Sequence, residues 1–130
     1  MRSPGEPSER ILVVEDDLTS ARMVRDYLEA HGYVVTLAAT GTEGLACFER
    51  EPFDLMIVDV ALPKKSGFEL CRDVKQTAHG RRMPVLLMSA VYRDGDHAAE
   101  ITDEALRAQD YLAKPFDLKE LLARVRALLA

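Results

Sequence analysis

The sequence predicts an α/β domain, a doubly wound five-stranded parallel sheet with helices on both faces. Three observations carry that expectation. Short apolar runs alternate with amphipathic stretches along the chain. The runs lack period-two alternation, which suits strands covered on both sides. A length of 130 residues, 48% of them apolar, suits one domain with one core.

The elements follow in order. MRSPGEPSER has no apolar stretch, so residues 1–9 read as a disordered tail rather than a secretory signal. Residues 11–14 (ILVV) form the first strand. Ala21, Val24 and Leu28 mark the first helix, and Gly32 stops it. Residues 33–38 (YVVTLA) are the second strand, and Thr40-x-x-Glu43 opens the second helix as a capping box. Residues 55–58 (LMIV) are the third strand, and Ser66-x-x-Glu69 opens the third helix in the same way. Arg81-Arg82 falls in a turn before the fourth strand, 85–88 (VLLM). A polar fourth helix is expected over 96–108, from Ala98, Ile101 and Ala105. Tyr111-Leu112-Ala113 is a short fifth strand. Asp117 caps the last helix, whose apolar face holds Leu118, Leu121, Leu122, Val125, Leu128 and Leu129.

Composition excludes several functions. A net charge of −5 without a basic run argues against direct nucleic-acid binding. No apolar run approaches the roughly 20 residues of a membrane span. Cys47 and Cys71 sit inside helical patterns, so neither a disulfide framework nor a cysteine metal site is expected, and a reducing cytoplasm is the default. Cys71 shares an apolar helix face with Phe68 and Val74 and reads as core. His31, His79 and His97 have no metal-ligand spacing.

The strand ends carry the chemistry. The first ends in Glu15-Asp16-Asp17, the third in Asp59, the fourth in Ser89 and the fifth in Lys114. In a parallel sheet these ends share one edge, where sites form near the switch in strand order. Three carboxylates without a cation would repel one another and hold raised pKa values. Mg²⁺ removes that penalty, because it takes oxygen ligands from one or two carboxylates and bridges to phosphate. Asp17 stands where the first helix needs its N-cap, which leaves Glu15 and Asp16 as the metal pair and Asp59 as a third oxygen source. Asp59 is also a nucleophile able to hold a phosphoryl group as an acyl phosphate. Lys114 and the Ser89 hydroxyl would hold the phosphoryl oxygens, and small Ala90 leaves room for the incoming group.

Four blocks in this order, ILVVED, FDLMIVDVALPKKSG, PVLLMSA and DYLAKPF, resemble the receiver domain of two-component response regulators, over nearly all of residues 10–129. The resemblance implies a receiver domain over 10–130 with a flavodoxin-like (βα)5 fold and strand order 2-1-3-4-5. It implies a phosphorelay switch rather than a turnover enzyme: Asp59 takes a phosphoryl group from a sensor histidine kinase or a phosphotransfer protein. Mg²⁺ (or Mn²⁺) would be held by Glu15, Asp16, Asp59 and the main-chain carbonyl of Ala61. Ser89 and Tyr111 would be the switch residues, and the fourth helix, fifth strand and fifth helix the output surface toward a downstream effector. The resemblance also allows a phosphorylation-dependent homodimer.

Ala61 and Val91 flank the approach of water in this family. Both are apolar here, so slow self-dephosphorylation is expected. The chain departs from the family in lacking the glycine of the turn before the fifth strand, and in the acidic stretch VYRDGDHAAEITDE. A pseudo-receiver, a phosphorylation-independent docking module of the same fold, is the alternative. A haloacid-dehalogenase phosphatase would need an acid where Ala61 stands, and a flavodoxin-like electron carrier would need a phosphate cradle in place of three acids. Dinucleotide and P-loop signatures are absent. The chain ends with the last helix at Ala130, which fits either a free-standing receiver or a segment of a longer protein.

Overall fold

The computed structural model describes residues 8–89 and 108–130. Five strands, β1 (Arg10–Val14), β2 (Val34–Ala38), β3 (Leu55–Asp59), β4 (Val85–Ser89) and β5 (Asp110–Ala113), form one sheet. Every neighbouring pair is parallel and the order is β2-β1-β3-β4-β5. This is the flavodoxin-like arrangement expected from the sequence. The described helices are α1 (Leu18–Ala30), α2 (Gly41–Arg50), α3 (Gly67–Lys75), α4 (Ala78–Arg82) and α5 (Leu118–Leu129). None is long and apolar enough to cross a membrane.

The three central strands are continuous apolar runs between their ends because both faces are covered, whereas the edge strands β2 and β5 are only partly buried. Ile11, Val13, Leu55, Ile57, Leu86 and Met88 pack on one face with Val24 and Leu28 of α1 and Leu121, Leu122 and Val125 of α5. Leu12, Val14, Met56, Val58, Val85 and Leu87 pack on the other with α2 and α3, including Phe48, Leu70, Cys71 and Val74. Alternate residues of each strand therefore serve opposite cores. Cys47 and Cys71 are both buried, Cys71 in the core as expected.

The helix boundaries follow local chemistry. Asp17 caps α1, its carboxylate accepting from the Ser20 N–H at 3.3 Å and the Ser20 hydroxyl at 2.5 Å. Gly32, at φ 95°, turns the chain into β2 where a side chain would be strained. Ser66 and Glu69 form the expected reciprocal capping box. At α2 only half of that box forms. Thr40 accepts from the Glu43 N–H, but the Glu43 carboxylate accepts from the Ala39 N–H, one residue too early. Asp117 occupies the N-cap position of α5, yet its side chain makes no capping bond.

One element differs from expectation. Arg81-Arg82 belong to α4, a short helix rather than a turn. Its sequence, AHGRR, has no apolar period to read, and what holds it is tertiary. Thr77 caps it through the Gly80 N–H, and His79 Nε2 bonds the Phe53 carbonyl at 3.0 Å. The Lys75 ammonium is buried and donates to the Met83 carbonyl, tying the end of α3 to the entry of β4. Burial pushes the Lys75 pKa down. The helix expected over 96–108 lies outside the described residues except for Ala108, a bend, as do Ala90, Val91 and most of the tail.

At the other edge, Arg124 of α5 donates to the Asp110 carboxylate at 2.9 Å and to the Tyr111 carbonyl at 2.7 Å. These bonds tie α5 to β5.

Ile57 is fully buried in the central strand. Ile57→Ala should lower unfolding free energy by about 2–5 kcal/mol, read from the urea midpoint with the m-value unchanged.

Candidate functional site

Parallel pairing brings the carboxyl ends of β1, β3, β4 and β5 to one rim. Val14 is level with Val58, Asp59 with Met88, and Ser89 with Ala113. The residues that follow these levels are Glu15, Asp59, Ser89 and Lys114. Main-chain bonds carry the alignment past the strands. Glu15 N–H donates to the Ala38 carbonyl, Val60 N–H to Met88, and Lys114 N–H to Ser89.

Glu15, Asp16 and Asp59 each offer a carboxylate oxygen, and these oxygens lie within 4.8 Å of one another. Glu15 and Asp59 are only 4% and 7% exposed, whereas Asp16 faces solvent. The Lys114 ammonium bridges the buried pair, 2.6 Å from Glu15 Oε1 and 2.8 Å from Asp59 Oδ2. The second oxygens are also held. Asp17 N–H donates to Glu15 Oε2 at 3.1 Å, and Ala61 N–H to Asp59 Oδ1 at 3.0 Å. Ser89 is buried at the end of β4. Tyr111 sits on β5 level with Leu87, half-buried against the α2–α3 core. The Lys114–Pro115 peptide is cis.

The backbone around Asp59 is fixed from below by Gly67. A Cβ there would collide with the Asp59 carbonyl and Val60 Cα, so the start of α3 reaches this strand end only as glycine. The Gly67 N–H bonds the Val60 carbonyl at 2.9 Å.

The electrostatics follow from burial. Desolvation raises the Glu15 pKa, and the nearby Asp59 charge adds to it, against the opposing bonds from Lys114 and the Asp17 N–H. Burial works against the Lys114 charge too, but its bonds to Asp59 and Glu15 outweigh that, and its pKa is raised. Three carboxylates against one ammonium leave an excess of negative charge. Hard oxygen donors with uncompensated charge are the donor set a divalent cation such as Mg²⁺ takes.

The family model for the response regulator receiver domain matches residues 11–126. The chain belongs to the response regulator receiver family. Response regulator MprA of Mycobacterium leprae (strain TN) is 40% identical over 120 residues, covering 92% of this chain and 50% of that protein. The probable transcriptional regulator ycf27 of Guillardia theta is 36% identical over 124 residues, covering 95% and 46%. The receiver chain thus spans about half the length of the curated relatives it matches. Among solved structures, the chemotaxis response regulator CheY4 of Vibrio cholerae superposes with a TM-score of 0.85 at 29% identity, covering 95% of this chain and 100% of that one. The receiver domain of sensor histidine kinase PA1611 from Pseudomonas aeruginosa PAO1 superposes at 0.83 with 30% identity, covering 95% and 98%; it has a magnesium ion coordinated in its active-site cleft.

Every side chain singled out on the described strand ends of this receiver therefore sits on one rim. The main-chain donors of Asp17 and Ala61 to the two buried carboxylates were not legible. Any residue can supply such a donor, so no side-chain type announces it.

Because the folded Glu15 pKa is raised, its contribution to stability is present below its unfolded pKa and lost as pH rises through the folded value. In metal-free buffer Glu15→Gln should therefore raise Tm at pH 7, and the advantage should shrink as pH falls into the carboxylate range. Thermal melts in EDTA across that range test this; a lower Tm for Glu15→Gln at pH 7 would contradict it.

Proposed function

We propose that Asp59 is the phosphoacceptor of a signalling receiver whose occupancy alters an output surface. The observation that carries this reading is the Lys114 ammonium bonded at once to Asp59 Oδ2 and Glu15 Oε1. A cation already placed on the acceptor carboxylate can pass to a phosphoryl oxygen as that oxygen arrives.

Asp59 attacks the phosphorus of a phosphohistidine on a sensor histidine kinase or phosphotransfer protein. A P–O bond to Asp59 forms, the P–N bond breaks, and the imidazole leaves. Mg²⁺ (or Mn²⁺), held by Glu15, Asp16, Asp59 and the Ala61 carbonyl, would neutralise charge on the transferring oxygens. Lys114 pairs with one phosphoryl oxygen and the Ser89 hydroxyl donates to another. Ala90 and Val91 would border the acceptor. The Ala61 N–H keeps one Asp59 oxygen oriented, leaving Oδ2 on the Lys114 side.

Phosphorylation would draw Ser89 toward the new group and Tyr111 inward, biasing two pre-existing conformations. The affected surface would comprise the segment before β5, β5 itself and α5. Relatives about twice the length of this chain, among them the ycf27 proteins named as probable transcriptional regulators, support output to an effector domain or protein, with a homodimer as one form of it. The cytoplasm, where histidine kinases present their phosphoryl groups, is the compartment that fits.

Incubation with acetyl phosphate and Mg²⁺ should add one phosphoryl group by intact-mass spectrometry. Asp59→Asn should add none, and Lys114→Ala should slow the gain by about 10²-fold. Ala61→Asn combined with Val91→Asn should shorten the acyl-phosphate lifetime, since both wild-type side chains lack a group to orient attacking water. An unchanged lifetime would remove the water argument while leaving the acceptor assignment intact.

A further inference from the structure

A cavity of about 420 Å³ opens directly beside the Lys114 ammonium, between α1 and the start of α5. Glu15, Ser20 and Lys114 are its polar lining, and Met23, Val24, Met88 and Phe116 supply apolar wall. This volume falls within the roughly 300–1,000 Å³ of small-molecule sites, and is far more than one phosphoryl group requires. Val24 and Met88 reach the wall from the core, with Phe116 packed against them. Packing does not account for Met23, on the second turn of α1, which is 54% exposed yet lines the cavity. An ammonium at one end and apolar wall beyond it match an anion that carries a short hydrocarbon chain.

We infer that this groove is an acyl subsite, and that the receiver takes small acyl phosphates with apolar chains in preference to acetyl phosphate. The inference rests on Asp59 being the phosphoacceptor, and it names the class of small donor. In the step, an Asp59 oxygen attacks phosphorus, a P–O bond to Asp59 forms, and the bond from phosphorus to the acyl oxygen breaks. The carboxylate leaves with that electron pair, and no redox change or co-reactant is involved. Lys114 holds the phosphate end, since it already reaches Asp59 Oδ2 at 2.8 Å. The chain then lies over Met23 and Phe116, away from the acid cluster.

Straight-chain carboxylates are near-equal leaving groups, so chain length probes binding rather than reactivity. With Mg²⁺ present, initial rates of phosphoryl gain at subsaturating acetyl, propionyl and butyryl phosphate should rise about two- to fourfold per methylene. Met23→Ser, at an exposed position, should flatten the series. The quantity read is the butyryl-to-acetyl ratio within each variant, so a variant that slows every donor does not mimic the effect. A flat series in the wild type overturns the inference and returns the groove to the flank of a protein donor, while the acceptor assignment stands. A rise that persists in Met23→Ser also overturns it, because the chain then lies elsewhere. If no donor modifies Asp59, the acceptor assignment itself falls, and the subsite with it.

Discussion

One ammonium holds the functional rim together. Lys114 reaches across 55 and 99 sequence positions to Asp59 and Glu15, two carboxylates that burial would otherwise drive apart or protonate. Its own burial is unfavourable, and only the pair of bonds makes the charge sustainable. The triad remains short of positive charge, with Asp16 beside it in solvent. A site left in that condition attracts cations and accepts charge-neutralising partners. Its instability in isolation and its chemistry are two aspects of one arrangement.

The fold exists to fix that arrangement from several directions. Register alone brings the strand ends level. Main-chain bonds from Glu15, Val60 and Lys114 extend the alignment beyond the last ladder pair. Gly67 lets α3 press against the end of β3, and the N–H groups of Asp17 and Ala61 set the rotation of the two buried carboxyl groups. Two cores, one on each side, make the sheet a stiff plate. A loop-borne site would lack that precision.

Much of this was legible in the residues. The central strands, buried on both faces, are continuous apolar runs, the edge strands showed as shorter or more mixed runs, and acids or a lysine directly after such runs had to meet on one edge. The helices read well where an apolar stripe or a Ser66–Glu69 box marked them. The sequence was silent where structure is set from outside the segment. AHGRR becomes helical because Thr77, His79 and the Lys75–Met83 bond hold it, none of which is a periodicity. Asp117 stands at the right place and makes no cap, because position licenses such a bond without compelling it. Glu43 reaches Ala39 instead of Thr40 for the same reason.

The seam at the sheet edge has a mechanical meaning. Arg124 grips both the Asp110 carboxylate and the Tyr111 carbonyl, so the final helix is riveted to the strand that bears the aromatic ring. Displacing the strand without the helix would leave a guanidinium stripped of two acceptors at once. Strand and helix are therefore joined side chain to main chain as well as by packing, and the edge of the sheet is stiffened along the whole of that seam.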